Sequence, residues 1–386
     1  MKKILSLLLA VLILAAPHSL IKSRAASASA FCLMDADTGD VLFSSRERER
    51  LPMASTTKVM TCLVALRLAE TDRIITVPAE AVGVEGSSAY LTEGEKLSLS
   101  DLLFALMLQS ANDAAVTIAV GISGSVDAFV SEMNRIADEI GLTDTHYSDP
   151  HGLSSEDHYS TASDLCRLMA CAMRDEVFAV ITGSSSARIP APDGSYRYLS
   201  NHNKLLRTYN DCVGGKTGYT KAAGRCLVSA ARRNGKLLVC ATLNAPDDWN
   251  DHKSLYEKGF SQYHLTRLCD FGSIRVDLPV VGGETDHVTV ANLSGEEVLL
   301  LGDHDPVMIL EAPRFLYAPV PGIEFAEDQS FYLRRVGISV GDAVFYQDGR
   351  EVARVPLYPM ENVGAAPKKK SIWERIVDWF RLRRTN

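Results

Sequence analysis

The chain has 386 residues, of which 46% are hydrophobic and 23% are charged. This composition is typical of a globular protein of about two domains, and it excludes both an intrinsically disordered chain and a polytopic membrane protein. With 40 Lys and Arg against 48 Asp and Glu, the net charge is −8. The chain as a whole therefore gives no electrostatic reason to bind nucleic acid.

The N-terminus has the pattern of a secretory signal. Two lysines precede an apolar run at residues 4–16, which is shorter than the roughly 20 residues needed to cross a bilayer. The small residues that follow offer A-x-A cleavage sites after Ala28 or Ala30. We therefore predict a signal peptide over residues 1–30 and export of the remaining chain.

The eight cysteines show no disulfide or metal-binding pattern. Cys62, Cys166 and Cys171 lie in helical patterns among apolar neighbours, where a free cysteine behaves as a small core hydrophobe. Neither C-x-x-C nor H-E-x-x-H occurs in the sequence. The sequence therefore supports no redox centre, no metal site and no cofactor.

Residues 31–175 are predicted to form a short hairpin followed by a mostly helical region. The hairpin pairs residues 31–35 with 40–44 around the turn cluster Asp37-Thr38-Gly39. Helices are predicted from apolar residues at helical spacing over 55–70, over 100–109 with Ser100 as the N-cap, from about Asp113, over 125–141 and over 161–174.

After residue 175 the pattern changes to antiparallel strands. Two hairpins are predicted, one over 187–199 around Pro192-Asp193-Gly194 and one over 225–243 around Asn234-Gly235. A helix over 249–263 would complete this part of the chain. Residues 31–268 therefore predict an α+β domain in which helices pack on an antiparallel sheet.

The C-terminal third has two different segments. Residues 271–360 have short alternating apolar runs between glycine-rich turns, which predict a small all-β domain over 269–361. From residue 365 onward there are seven Lys or Arg and two acidic residues, with two Trp and a Phe among the apolar residues. A basic amphipathic helix of this kind is typical of an interfacial membrane anchor. We predict a linker and anchor helix over 362–386, with residues 368–384 on a membrane surface.

Ser55 and Lys58 are three residues apart at the start of a predicted helix, so their side chains share one face. A serine hydroxyl needs a base to become a nucleophile, and a lysine amine can be that base when burial lowers its pKa. Ser110 and Asn112 stand between two predicted helices, where a hydroxyl and an amide could relay a proton and hold a peptide carbonyl. Simple N-capping is the ordinary alternative for Asn112.

Lys216, Thr217 and Gly218 follow a glycine pair and precede strand-like sequence. A phosphate loop is excluded, because G-x-x-x-x-G-K-[ST] requires a glycine where the chain has Asn210. On a strand edge, Gly218 would let a ligand approach the backbone closely. Lys216 and Thr217 would then offer a cation and a hydroxyl to a carboxylate.

S-x-x-K, S-x-N and K-T-G in this order are the motif set of β-lactamases and penicillin-binding proteins. Through residues 52–58, 110–115, 149–153 and 216–220 the chain resembles the low-molecular-mass penicillin-binding proteins, the serine-type D-alanyl-D-alanine carboxypeptidases of the peptidase S11 type. The resemblance also covers the β-domain and the tail. It implies a β-lactamase/transpeptidase-like domain, and an enzyme on the outer face of the bacterial cytoplasmic membrane, held peripherally in the cell-wall space.

The resemblance implies that Ser55 attacks the carbonyl between the last two D-alanines of a peptidoglycan stem pentapeptide and forms an acyl-enzyme, which limits cross-linking. Lys58 would take the serine proton, and Ser110 would relay a proton to the leaving amine. β-Lactam antibiotics would inhibit the enzyme by acylating it.

The resemblance also implies how the substrate is held. Asn112 would hold the amide backbone of the substrate, and Lys216 and Thr217 would engage the free carboxylate of the terminal D-Ala. The backbone N–H groups of Ser55 and Tyr219 would form the oxyanion hole. Some relatives carry an Arg within the N-x-N-x-L-L stretch, which in this chain reads Asn201-His202-Asn203-Lys204-Leu205-Leu206, so the resemblance transfers no helper cation to this stretch.

Other functions share these motifs. A class A β-lactamase needs an E-x-x-L-N deacylation loop, which is missing between Asn112 and Lys216. A D,D-transpeptidase or endopeptidase of the same fold shares the acylation step. A β-lactam sensor or a silent cell-wall binding module would be the non-enzymatic alternative, but a silent module has no reason to retain the catalytic pair.

Overall fold

The computed structural model describes residues 26–153, 156–302, 304–325, 333–335 and 338–367. The chain divides into two compact units, one that ends at Phe260 and one that begins at Ser261. The α+β class predicted from the sequence is confirmed. Helices and an antiparallel sheet build the first unit, and strands build the described part of the second.

A five-stranded antiparallel sheet lies at the centre of the first unit. The strands of this unit are β1 (Ala30–Asp35), β2 (Val41–Ser45), β3 (Ile74–Thr76), β4 (Lys96–Ser98), β5 (Ser186–Pro190), β6 (Tyr196–Ser200), β7 (Cys212–Thr220), β8 (Gly224–Arg233) and β9 (Lys236–Leu243). The sheet order is β2-β1-β9-β8-β7, and β3–β4 and β5–β6 form separate hairpins. Strand β7 is therefore an edge strand, so one side of its backbone is not paired within this sheet.

The helices of the first unit supply most of its hydrophobic core. They are α1 (Lys58–Leu68), α2 (Leu99–Leu108), α3 (Asn112–Ser123), α4 (Val126–Glu139), α5 (Ala162–Ala172), α6 (Glu176–Gly183), α7 (Leu205–Thr208) and α8 (Asp248–Phe260). Helix α2 and the first two turns of α3 are almost entirely buried. Helix α4 is amphipathic as predicted, because Phe129, Met133 and Ile136 are buried while its charged residues face outward.

Two helix starts differ from the prediction. The segment at 55–70 is divided, because Ala54–Thr57 forms a 3-10 turn before α1 begins. Helix α2 is capped by Ser98 rather than Ser100. The Ser98 hydroxyl accepts a hydrogen bond from the Asp101 N–H at 3.1 Å, and the Asp101 carboxylate accepts one from the Ser98 N–H in return. This reciprocal pair satisfies two of the free donors at the helix start.

Helix α6 was not predicted, and α8 is shorter than predicted. The Asp175 carboxylate caps α6 by accepting hydrogen bonds from the N–H groups of Val177 and Phe178 at 2.9 and 3.0 Å. Helix α8 ends at Phe260, and Tyr263 already belongs to the next strand.

The second unit is built from strands in its described part. These are β10 (Tyr263–Cys269), β11 (Arg275–Val281), β12 (His287–Asn292), β13 (Glu296–Leu301), β14 (Val307–Glu311), β15 (Leu316–Tyr317), β16 (Glu324–Phe325), β17 (Leu333–Arg335), β18 (Gly341–Gln347) and β19 (Arg350–Pro359). The main sheet has the order β14-β18-β19-β12-β11-β15. The boundary predicted between residues 268 and 269 falls inside β10, which pairs with β13, so this unit begins earlier than the sequence indicated.

All eight cysteines are free thiols, and all except Cys171 are buried. Burial raises the pKa of the Cys212 and Cys226 thiols to about 11. Thiols of this kind are mostly protonated at neutral pH and are unreactive. The structure therefore agrees with the sequence-based interpretation of Cys62 and Cys166 as core residues, whereas Cys171 is only half-buried.

Two predicted features fall outside the described residues. They are most of the signal peptide, up to residue 25, and the membrane-binding segment at 368–384. In the part of the chain that the structure covers, no individual helix has both the length and the apolar character of a membrane span. Helices α3 and α4 meet that test only together, across a bend of 87°.

Candidate active site

Distant stretches of the chain converge beside β7. Ser55 lies on the 3-10 turn that precedes α1, and Ser110 lies in the connection between α2 and α3. A Cβ added at Gly218 of β7 would lie 2.9 Å from the Met53 oxygen and 3.0 Å from the Ser55 nitrogen. The strand thus packs directly on the turn that carries Ser55.

The amine of Lys58 lies next to the hydroxyl of Ser55, with 3.0 Å between Nζ and Oγ. Nζ also donates hydrogen bonds to Asn112 Oδ1 at 2.7 Å and to the His151 main-chain oxygen at 2.6 Å. Both of those oxygens can only accept, so they use two N–H groups of the amine. An uncharged amine has two N–H groups and one lone pair, which leaves the lone pair for the proton of Ser55.

Burial favours the uncharged form of this amine. Lys58 is 0% exposed, and this burial lowers its pKa well below the ordinary value of 10.5. The charge of Lys216 lowers the pKa further, while Asp149 and Asp113 act in the opposite direction. A lysine that is desolvated and close to a second cation is suited to act as a base.

Ser110 lies in a left-handed backbone turn and is hydrogen-bonded to Lys216 of β7. Its φ of +60° lies in the left-handed region that is rare for residues other than glycine, and α3 begins two residues later. Ser110 Oγ accepts a hydrogen bond from Lys216 Nζ at 3.0 Å, and the same amine donates to the Thr217 main-chain oxygen at 2.8 Å. Burial lowers the pKa of Lys216 to about 7, so this lysine can exchange a proton near neutral pH.

Asn112 is placed at the first residue of α3, with the preceding Ala111 at the N-cap position. The ordinary alternative of N-capping therefore does not describe its side chain. Its Oδ1 accepts from Lys58, and its Nδ2 donates to the Glu85 main-chain oxygen. The second N–H of Nδ2 is available for another acceptor.

The loop at residues 149–153 was not assigned a role from the sequence, although it supplies the His151 oxygen that contacts Lys58. The Asp149 carboxylate accepts hydrogen bonds from the N–H groups of His151 and Gly152. Burial acts to raise the pKa of Asp149, but the hydrogen bond from the His151 side chain and the charges of His158 and His151 outweigh it and lower the pKa to about 2. The oxygen that contacts Lys58 belongs to the His151 main chain, so the identity of the side chain could not indicate this contact.

Gly152 fixes this loop against the turn that carries Ser55. Its φ is +88°, and an added Cβ would overlap the main-chain oxygen of Ala54 and lie 2.8 Å from Thr57 Oγ1. A hydrogen bond of 2.7 Å also joins Thr57 Oγ1 of this turn and His158 Nε2. The turn, the loop and the buried His158 therefore form one packed assembly behind the Ser55–Lys58 pair.

A cleft with a volume of about 490 Å³ opens at this place. Its wall includes the predicted site residues Ser55, Ser110, Thr217, Gly218 and Tyr219. Lys58, Asn112 and Lys216 are not part of the wall and lie buried behind it, at 0%, 3% and 1% exposure. The rest of the wall comes from Ser87, residues 200–202, Lys204, Arg207, Arg225, Asp248 and Trp249. Within the described segments, no group of three or more His, Cys, Asp or Glu side chains is arranged to hold a metal ion.

Known proteins share this sequence and fold. The pattern of the D-alanyl-D-alanine carboxypeptidase family, peptidase S11, matches residues 17–247. D-alanyl-D-alanine carboxypeptidase DacF of Bacillus subtilis is 27% identical over 99% of this chain and 100% of its own length. D-alanyl-D-alanine carboxypeptidase DacB2 of Mycobacterium tuberculosis is 35% identical over 61% of this chain and 82% of its own length.

The fold comparison agrees with the sequence comparison. The crystal structure of penicillin binding protein 5 from Haemophilus influenzae superposes with a TM-score of 0.61 at 25% identity. It covers 88% of this chain and 98% of its own chain. The chain therefore belongs to the D-alanyl-D-alanine carboxypeptidase family of the peptidase S11 type, the low-molecular-mass penicillin-binding proteins.

Proposed function

We propose that the chain is a serine-type carboxypeptidase that removes the terminal D-Ala from peptidoglycan stem pentapeptides through an acyl-enzyme on Ser55. The observation that carries this proposal is the position of the buried Lys58 amine, 3.0 Å from the Ser55 hydroxyl with its two N–H groups engaged elsewhere. The relatives named above are carboxypeptidases, which favours this reaction over a β-lactamase, a transpeptidase or a sensor.

In the first half-reaction the Ser55 oxygen adds to the carbonyl between the last two D-alanines while Lys58 takes the hydroxyl proton. The carbonyl oxygen becomes an oxyanion, which the backbone N–H groups of Ser55 and Tyr219 stabilise. One donor of this kind typically contributes about 3–4 kcal/mol to the transition state. The close packing of Gly218 on the Ser55 nitrogen supports this placement.

The C–N bond then breaks, and the proton that Lys58 took from Ser55 passes through Ser110 to the leaving amine, so the Lys58 amine is uncharged again before water attacks. The hydrogen bond between Ser110 and Lys216, whose pKa is about 7, supports this relay. The Thr217 hydroxyl on the cleft wall contacts the carboxylate of the departing D-Ala, and Lys216 positions Ser110 and Thr217 from behind the wall through its hydrogen bonds to both. Asn112 orients Lys58 and offers its remaining N–H to the substrate backbone.

In the second half-reaction water attacks the ester between Ser55 and the shortened peptide. Lys58 accepts a proton from this water, and Ser55 regains its hydroxyl when the acid product leaves. A β-lactam contains a strained amide and a carboxylate, so the same groups would open its ring and leave an ester on Ser55. The proposed partners are therefore the stem peptide and, as inhibitors, the β-lactam antibiotics.

Release of D-Ala tests this proposal directly. Purified protein that lacks residues 1–25 and 368–386 is incubated with a stem pentapeptide, and free D-Ala and the peptide products are measured. We expect catalytic release that Ser55→Ala abolishes. A product with a new amide bond would instead indicate transpeptidation, and rapid penicillin turnover would indicate a β-lactamase. Stoichiometric penicillin labelling without any peptide turnover would favour the sensor.

We propose further that residues 368–384 hold the exported enzyme on the outer face of the cytoplasmic membrane. The basic and aromatic composition of this segment supports the proposal. Deletion of residues 367–386 should move the protein from the membrane fraction to the soluble fraction and leave the rate of D-Ala release unchanged. Membrane fractionation with activity assays on both fractions checks this, and retention of the truncated protein in the membrane pellet would contradict it.

A further inference from the structure

Cations line the cleft that holds Ser55. Ser110 and Thr217, which act on the departing D-Ala, are on its wall together with Ser55 and Tyr219. Lys204 and Arg207 are on the same wall, and helix α7, which carries Arg207, packs against β7, which carries Thr217. These two cations therefore share the cleft in which the carboxylate of the substrate is expected.

Lys216 is poorly suited to provide the positive charge for this carboxylate. Its side chain is 1% exposed and not on the cleft wall. Its amine already donates to Ser110 Oγ and to the Thr217 oxygen, and burial lowers its pKa to about 7. A buried amine that is partly uncharged at neutral pH attracts an anion less than an exposed cation on the wall does.

Two other basic side chains on the wall are also unsuitable. Arg225 lies opposite Tyr219 in the β7–β8 pair. Its Nη2 donates to both carboxylate oxygens of Asp248 at 2.7 and 2.9 Å, so its charge is matched. Burial lowers the pKa of His202, and the charge of Lys216 lowers it further. His202 is therefore mostly uncharged at neutral pH.

Lys204 and Arg207 differ from these neighbours. Both are exposed, and within the described residues neither side chain has an ion-pair or hydrogen-bond partner. Their segment is nevertheless well anchored. Asn203 Oδ1 accepts from the N–H of the fully buried Leu205 at 3.1 Å, and Asn201 fixes the preceding turn by accepting from the Asn203 N–H at 2.9 Å.

We propose that Lys204 and Arg207 form the cationic part of the subsite for the free carboxylate of the leaving residue, and that they select peptides that end in a charged carboxylate. The Thr217 hydroxyl would donate the short-range hydrogen bond, while the two cations draw the anion into the cleft. This inference rests on the proposed carboxypeptidase function. It differs from the assignment made on the motif alone, which gave the charge to Lys216.

The test uses two pentapeptides that differ only at the C-terminus, one with a free carboxylate and one with an amide. Lys204→Glu and Arg207→Glu should each lower kcat/KM for the acid peptide by about tenfold, because each replaces an attraction by a repulsion. The same substitutions should change kcat/KM for the amide peptide by less than about twofold, because its C-terminus carries no charge. Added salt should weaken the acid peptide's kcat/KM in the wild type more than in either variant.

Lys221→Glu is the matched control, because Lys221 is an exposed lysine next to the same strand and is not on the cleft wall. This substitution makes the same change in net charge, and kcat/KM for both peptides should stay within about twofold of the wild-type value. Equal losses for the acid and amide peptides in Lys204→Glu and Arg207→Glu would overturn the inference, as would unchanged kinetics in both. If the wild type released no D-Ala from the acid peptide, the proposed function itself would fail.

Discussion

Lys58→Met should lower the rate of Ser55 acylation by about 10²–10⁴-fold, the usual contribution of a positioned general base. Methionine fills nearly the same buried volume but has no basic nitrogen to accept the Ser55 proton. The second-order rate constant for labelling by a fluorescent penicillin measures the effect, because it reports acylation without peptide turnover. Lys221→Met, at an exposed position of the same fold, should label at the wild-type rate.

Folding must be followed in the same experiment. The substitution also leaves Asn112 Oδ1 and the His151 oxygen without the amine that they contact, and each unsatisfied buried acceptor costs about 1–3 kcal/mol. Thermal unfolding of the variant would show whether it remains folded at the assay temperature. A folded Lys58→Met protein that labels as fast as the wild type would remove Lys58 as the base.

Gly152→Ala should both destabilise the first unit and slow acylation. The left-handed conformation costs an alanine about 1–2 kcal/mol, and the overlap of its Cβ with the Ala54 main chain adds about 1–3 kcal/mol or more. Relief of this overlap would move either the His151 oxygen or the turn that carries Ser55. The free energy of unfolding and the penicillin labelling rate should therefore fall together.

Gly141→Ala provides the matched control for this prediction. Gly141 has a similar φ of +75°, but a Cβ added there meets nothing within 4 Å. Its substitution should cost only the conformational part, about 1–2 kcal/mol, and should leave labelling unchanged. If the two variants were equally stable and equally active, the contact between the loop and the turn would have no role in positioning Ser55.

The sequence predicted much of the fold because its signals are local. The amphipathic pattern of α4 and the hairpin signal at Asn234-Gly235 both correspond to observed elements. The cap of α2 was predicted at Ser100 but lies at Ser98, because both serines precede apolar residues and only the partner at Asp101 distinguishes them. Helix α6 was missed because its single capping residue, Asp175, follows directly after another helix.

The sequence predicted the candidate site through its motifs, but not through the geometry that joins them. No local signal indicates that Lys58 contacts a main-chain oxygen 93 residues away, since that contact depends on how the loop at 149–153 folds back. The two cations on the cleft wall, Lys204 and Arg207, were not predicted for a similar reason. Lys204 and Arg207 are ordinary surface residues in the sequence, and their importance follows from the cleft beside them.

The dependence of β-lactam acylation on pH tests the central claim, that a buried and uncharged Lys58 amine activates Ser55. The rate requires the unprotonated amine, so it rises with pH up to the pKa of Lys58 and is constant above it. Because burial holds that pKa well below 10.5, we predict a rate constant that becomes level well below pH 10.5 and rises no further above that pH. A rate that climbs about tenfold per pH unit as far as 10.5 would mean an ordinary, charged lysine and would contradict this account.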